Sequence, residues 1–228
     1  MSEVVVKLTN TLTNNEICLN ENEQQTLIIF NNGENESTYN LKATLKKGAT
    51  LNIYNVATTY KSAELNETVE LCDVDATCNI LNVLLVGENA KFTSNIFINH
   101  LEKHTTSDFQ NYAIAVDNAT MILNNNAKII QGASKSVVRQ KAKGLTLSQT
   151  AKIKAMPNLY IDEYDVIANH AASIGSISKE DLFYLMSRGL EERDAAKLIV
   201  LGFVQPLLDH ITDESLRKEI QANFVSKL

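Results

Sequence analysis

From Val4 to about Val166, apolar side chains keep returning at every second position, as in Val4-Val5-Val6-Lys7-Leu8, Ala49-Thr50-Leu51-Asn52-Ile53 and Lys152-Ile153-Lys154. No window in that stretch carries an i, i+3, i+4, i+7 apolar stripe of helical length. A period of two puts alternate side chains on opposite faces of an extended strand, so this part of the chain is constrained to strands with one buried face. Asparagine is frequent and often clustered, as in Asn14-Asn15, Asn31-Asn32 and Asn124-Asn125-Asn126. Because asparagine tolerates left-handed backbone angles, these clusters predict tight corners between short strands.

A weak internal repeat sharpens the expectation. A small or polar residue, then alanine, then threonine or lysine, predicts a strand opening at Gly48-Ala49-Thr50, Asp75-Ala76-Thr77, Asn89-Ala90-Lys91, Asn118-Ala119-Thr120, Asn126-Ala127-Lys128 and Thr150-Ala151-Lys152. Coils that each bury an inner face against the next fit such a pattern. The spacing is irregular, so on pattern alone a β-sandwich stays open beside the solenoid.

After Ile174 the period changes. Ser178-Lys179-Glu180-Asp181 reads as a capping box with Ser178 as N-cap, followed by the apolar stripe Leu182, Phe183, Leu185 and Met186. Gly189 is placed to end that helix in a left-handed conformation. A second helix is expected from about Glu191 through Ala195, Leu198, Ile199 and Leu201, with Pro206 kinking or interrupting it. Thr212 is the expected cap of a last helix carrying Leu216, Ile220 and Phe224. A helical unit of this size, residues 173–228, cannot hold together alone, so it must pack on the β-rich part, residues 1–172, or on a partner.

With 44% apolar residues in 228 the chain is able to bury a real core. A net charge of −6, with no basic cluster expected to offset it, argues against nucleic acid as a partner. No signal peptide and no bilayer-spanning run is read, which points to a cytoplasmic protein away from membranes. Cys18, Cys72 and Cys78 are too few, and odd in number, for a disulfide framework. The six-residue step from Cys72 to Cys78 is not the short spacing of a zinc or redox pair. By alternation Cys78 faces inward with Ile80 and Cys72 outward with Glu70; all three read as ordinary thiols. His100 and His104 are four apart on strand and corner rather than helix, so they make no metal pair. His210 lies where a helix C-terminus favours a cation.

The stretch from Pro157 through Leu159, Ile161 and Asp165-Val166, then His170-Ala171-Ala172-Ser173-Ile174-Gly175, resembles the closing signature of the SufB/SufD family of iron–sulfur cluster assembly scaffolds. The resemblance continues through Asp181-Leu182-Phe183-Tyr184-Leu185-Met186-Ser187-Arg188-Gly189 to Gly202-Phe203. Upstream, His100-Leu101 with Thr105, Ser107 and Asp108, and Gly132-Ala133, Gln140 and Leu145-Thr146-Leu147-Ser148, are also similar to it. The resemblance runs from about Phe97 to Phe203 and is closer to SufD than to SufB, since Ala171 rather than glutamate follows the histidine. Ala168-Asn169 stands where SufD sequences often carry cysteine, so the expected thiolate is missing.

The resemblance implies a right-handed parallel β-helix with a small C-terminal α-helical domain. It also implies a non-catalytic subunit, with helices that dock the ABC-type ATPase SufC and end strands that pair with a SufB- or SufD-type subunit as a hetero- or homodimer. The family usually carries an N-terminal helical region; here the strands start almost at once, as in a compact form. His170 matches the family histidine at the subunit interface and so is the candidate ligand and metal residue for a transient iron–sulfur cluster completed by the partner. Phe183, Tyr184, Met186, Arg188 and Gly189 are the candidate ATPase-docking residues, Tyr184 and Arg188 being i, i+4 neighbours. No Gly-x-x-x-x-Gly-Lys-Ser/Thr loop, dinucleotide fingerprint or nucleophile elbow occurs, so ATP is expected to come from the partner. A secreted carbohydrate lyase and a hexapeptide-repeat acyltransferase fit less well, for want of clustered acids and of a glycine-bearing hexad respectively. A solenoid used purely for protein interaction shares the same fold.

Overall fold

The computed structural model describes residues 2–8 and 12–227. Among them the chain forms thirteen strands followed by three helices. The odd-numbered strands are β1 (Ser2–Lys7), β3 (Gln24–Asn31), β5 (Thr50–Thr59), β7 (Thr77–Val86), β9 (Thr106–Ala115), β11 (Val137–Thr146) and β13 (Ile167–Ser176). The even-numbered strands are β2 (Leu12–Leu19), β4 (Ser37–Leu45), β6 (Ala63–Leu71), β8 (Lys91–His100), β10 (Thr120–Ile129) and β12 (Lys152–Ile161). Odd strands stack in chain order into one parallel sheet and even strands into a second, so that each odd–even pair is one coil of a β-solenoid.

Register explains why the repeat looks irregular. Leu27 pairs with Ile53, Ile53 with Ile80, Ile80 with Phe109 and Phe109 with Gln140, steps of 26, 27, 29 and 31 residues. The coils lengthen along the chain while the inner rows stay aligned, because a one-residue slip would turn every inward side chain outward. Ala49, Ala76, Ala90, Ala119 and Ala151 each sit buried just before a strand, as the repeat predicted. Asn126-Ala127-Lys128 instead lies inside β10, where Ala127 is one more inward residue of an unbroken alternation.

Of the asparagine clusters only Asn31-Asn32 lies at a corner, between β3 and β4, where the side-chain oxygens accept from the Gly33 and Glu34 N–H groups at 2.9 and 3.4 Å; Asn14-Asn15 and Asn124-Asn125-Asn126 lie within β2 and β10. Left-handed corner positions are held by Asn22, Asp75, Glu88, His104, Asp117 and Lys135 and by glycines such as Gly48. Asn14, Asn40, Asn66, Asn95 and Asn124 instead form a ladder across the second sheet, each amide nitrogen donating to the oxygen of the coil before it at 2.6–2.9 Å. A carboxamide carries both a donor and an acceptor, so identical residues in register satisfy one another at the spacing of parallel strands.

The helices α1 (Lys179–Ser187), α2 (Glu192–Leu208) and α3 (Glu214–Ser226) follow the last strand. Ser178 caps α1 by accepting from the Asp181 N–H, and Gly189 at φ +93° closes it: the Gly189 and Leu190 N–H groups return to Met186 and Leu185. Pro206 does not interrupt α2, which continues to Leu208; so near the end of the helix the lost N–H costs one hydrogen bond, to the Gly202 carbonyl. The cap of α3 is Asp213 rather than Thr212, its carboxylate accepting from the Ser215 and Leu216 N–H groups at 2.8 and 3.1 Å. Thr212 donates to Glu3 instead, at 3.3 Å.

Two apolar layers hold the molecule together. The inner faces of both sheets form the solenoid core, from Leu19 and Leu27 to Met121 and Leu123. On the outer face of the odd-strand sheet, Ile28, Phe30, Leu81, Val83, Leu85 and Ile114 pack against Val200, Val204, Leu207, Leu216, Ile220 and Phe224. The tail thus docks on the solenoid through α2 and α3, sharing one apolar cluster with it.

Candidate functional site

The inner face changes character toward the last coils. The row Leu27–Ile53–Ile80–Phe109 is apolar, and the next two positions in register are Gln140 and His170. Gln140 is buried, its amide directed at the carbonyl oxygens of Asn125 and Asn158 at 3.4 and 3.5 Å. His170 lies on β13, the edge strand of its sheet, on the same side of the sheet as Gln140, and is exposed because no further coil covers it. Of the other inward positions of β13, Ala172 and Ile174 are exposed as well, while Ala168 is half-buried against the cluster of Val138. Every earlier strand from β3 to β11 buries its inward side chains, so this coil end is an uncovered section through the solenoid.

No group of three or more His, Cys, Asp and Glu side chains able to hold a metal ion occurs among the described residues. Cys78 is buried, and burial pushes its thiol well above its ordinary range; Cys72 is half-buried and Cys18 exposed, on early coils remote in register from His170. His170 thus stands as an exposed imidazole at the open coil end, not grouped with two further His, Cys, Asp or Glu side chains among the described residues.

The other histidines are engaged elsewhere. His100 is fully buried, its Nδ1 at 2.8 Å from Thr105 Oγ1 and its Nε2 at 2.9 Å from Ser107 Oγ, and burial lowers its pKa to about 4. A neutral imidazole saturated by two hydroxyls is a structural group. Thr105 and Ser136 hold the pre-strand position that alanine fills in other coils, and their hydroxyls, 2.8 Å apart, extend this cluster. His104 occupies a left-handed corner, and His210 stacks on Tyr54 at 5.2 Å just beyond α2.

A second polar group inside the solenoid escapes a reading based on motifs. Asn55, Asn82 and Asn111 form a buried ladder at 2.8 Å per step, and the Asn55 amide also donates to Glu67 Oε2 at 3.2 Å. Burial raises the Glu67 carboxyl to about 8, against the smaller opposing effect of the Asn55 hydrogen bond. Glu67 is thus a protonated acid at neutral pH. The signal was present in the alternation, since Leu65, Glu67, Val69 and Leu71 share one side of β6.

Helix α1 is the opposite case, an apolar surface without cover. None of its residues is buried: Phe183 is 75% exposed, Tyr184 57% and Met186 44%, and Leu198 of α2 adds a further exposed side chain. The Arg188 guanidinium stacks over the Tyr184 ring at 5.3 Å and donates to its hydroxyl at 3.3 Å. The five docking candidates thus lie together on one helix and its C-terminal turn, apart from the cluster that fastens α2 and α3.

Comparison with known proteins matches residues 5–203 to the family model described as SUF system FeS cluster assembly, SufBD core domain. The iron–sulfur cluster assembly protein SufD of Bacillus subtilis is 35% identical over 149 residues, which cover 64% of this chain and 34% of that protein. SufD of Escherichia coli is 25% identical over 163 residues, 72% of this chain and 38% of that protein. An iron–sulfur cluster assembly SufBD family protein of Pyrococcus horikoshii is 40% identical over 104 residues, 45% of this chain and 22% of that protein. The chain spans about a third of the length of the SufD proteins it matches.

Proposed function

Because the chain belongs to the SufBD core family of the SUF iron–sulfur cluster assembly system, we propose that it is a non-catalytic scaffold subunit whose helical tail docks a SufC-type ATPase and whose last coil pairs with a SufB- or SufD-type subunit. The observation that carries this reading is the division of labour within the tail. Helices α2 and α3 are fastened to the solenoid, whereas α1 keeps Phe183, Tyr184 and Met186 in water. Exposed aromatic and arginine side chains held on a rigid element are the composition of an interface centre.

In this reading a stroke of the ATPase on α1 passes through α2 to the strands beneath it and so to the open coil end. The nascent cluster is cargo at that end. His170 supplies one donor from the inner face of β13, and the partner subunit supplies the thiolates or carboxylates that this chain lacks there.

Anaerobic co-expression with a SufC-type ATPase tests the assignment. The expected result is a copurifying complex with visible iron–sulfur absorption. Arg188→Glu should weaken association at least about tenfold, since it removes a stacked cation from an interface centre, while leaving the melting temperature of the isolated chain unchanged. His170→Ala should retain the complex but lower its cluster yield. A stable but colourless wild-type complex would instead assign the chain as a structural interaction module, and failure to copurify would remove the SufC assignment altogether.

A further inference from the structure

The expectation that no basic cluster offsets the negative charge fails for the last coils. Between residues 118 and 161 the chain carries seven lysine and arginine side chains and no aspartate or glutamate, within a molecule of net charge −6. The fold gathers these cations at one end. Arg139, Lys141 and Lys143 stand in a row on the outer face of β11, all exposed, next to the edge strand β13. Lys152 and Lys154 are exposed on β12, the edge strand of the other sheet, and Lys128 is on β10 beside it. The flanking acids are Asp117, in the corner before β10, and Asp162, Glu163 and Asp165, in the corner between β12 and β13. There Asp165 pairs with Lys135 at 2.7 Å, and Glu163 is engaged by the Gly132, Tyr164 and Asp165 N–H groups. Asp108, in register with Arg139, lies more than 4.0 Å from it, outside ion-pair range. Among the described residues, the one ring or ionic contact of the row is Lys143 over the Tyr112 ring at 6.0 Å.

This charge sits where the solenoid is open. Strands in a sheet are about 4.8 Å apart, so a strand added to the β13 edge would lie about 10 Å from the Arg139–Lys143 row, about one Debye length at moderate salt. A strand added to β12 would touch the Lys152–Lys154 edge directly. Apolar side chains share the same end, with Ile161 at 42%, Ile167 at 54% and Ile174 at 42% exposure, which marks a surface that loses water on pairing.

We infer that this end is built for a partner strand edged with acidic side chains, and that it disfavours pairing with a second copy of the chain. The inference rests on the reading that the last coil is a pairing edge, and it sets the chemistry of what pairs there. Two identical copies joined β13 to β13 would hold their cationic rows three strand spacings, about 14 Å, apart, within the about 30 Å Debye length of low salt, so the rows repel there. An acidic edge gains from the same row and is steered onto it.

A charge-inverted copy of this chain serves as the probe, carrying Arg139→Glu, Lys141→Glu and Lys143→Glu, three exposed positions whose exchange leaves the core intact. Its far-ultraviolet spectrum and melting temperature are checked against wild type, and a copy with glutamine at the same three positions replaces it if it fails to fold. Analytical ultracentrifugation then compares each chain alone with their equimolar mixture at about 0.01 M and about 1 M salt, where the Debye length is about 30 Å and about 3 Å.

At low salt the mixture should form a 1:1 complex at least about tenfold tighter than wild-type self-association, and salt should weaken the mixture while strengthening wild-type self-association. With the glutamine copy, self-association at low salt should exceed that of wild type. Wild-type self-association at low salt as tight as the mixture overturns the acidic-partner inference and leaves the pairing edge standing. No association in any arm overturns both. A single-stranded oligonucleotide that binds wild type more tightly than the inverted copy does would reassign the row to nucleic acid.

Discussion

Glu67→Gln is expected to stabilise the folded chain by about 3 kcal/mol at pH 7. Glu67 is 1% exposed and its carboxyl is held at about 8, against an ordinary value of 4.5. Below pH 4.5 the folded and unfolded chains both carry the proton, and the group contributes no pH dependence. Between pH 4.5 and about 8 the unfolded chain releases the proton while the folded chain keeps it, so the folded state binds more protons and its stability falls as pH rises. Above about pH 8 both forms are ionised and the slope vanishes. Glutamine is close in shape, retains an oxygen to accept the Asn55 amide, and has no proton to lose. Urea unfolding of both chains at several pH values isolates this: the stability of Glu67→Gln minus that of wild type should grow from pH 4.5 to about 8, while His100, lowered to about 4 by burial, adds an opposing slope common to both chains. A variant less stable than wild type at pH 7 would show that Glu67 is held ionised by a compensating charge.

Phe224→Ala is expected to cost about 3–5 kcal/mol, enough to release α3 from the solenoid. Phe224 is fully buried in the cluster formed by α2, α3 and the outer face of the odd-strand sheet, against side chains such as Ile28 and Phe30. Truncation leaves a cavity between two rigid layers, and strands locked in register on both sides cannot close around it. The polar fastenings of α3, Lys7 to Glu219 at 2.7 Å and the Tyr60 hydroxyl donating to the Lys227 carbonyl at 2.7 Å, lie at the rim and contribute less. The neighbouring Val225→Ala, at a position 37% exposed, should cost no more than about 0.5 kcal/mol. Equal losses for the two variants in denaturant unfolding would mean that α3 is not docked as described. Hydrogen exchange should report the Phe224 effect first in α3 and in the strands it covers.

Much of this architecture was legible in the sequence because it follows from local rules. Alternation assigned the inward residues of β5 and β7 and put Cys78 inside and Cys72 outside. Ser178 and Gly189 marked the two ends of α1 through the backbone groups they satisfy. The failures share one cause. Asn14, Asn40, Asn66, Asn95 and Asn124 are spaced by coil length rather than by neighbourhood, so only register reveals that they hydrogen-bond to one another. The choice of Thr212 as cap went wrong by one residue because capping depends on which side chain meets the free amides, which composition does not specify.

By itself the sequence determined the strands, the direction each side chain takes within them, the helical tail and the family, because these depend on periods and motifs carried by contiguous residues. Tertiary structure alone decided which coil ends remain open, that α1 stays exposed while α2 and α3 dock, and that the cations of residues 118–161 collect at the last coils. Those properties depend on which residues a neighbouring coil or helix removes from water, and covering is a relation between segments about 26–31 residues and more apart.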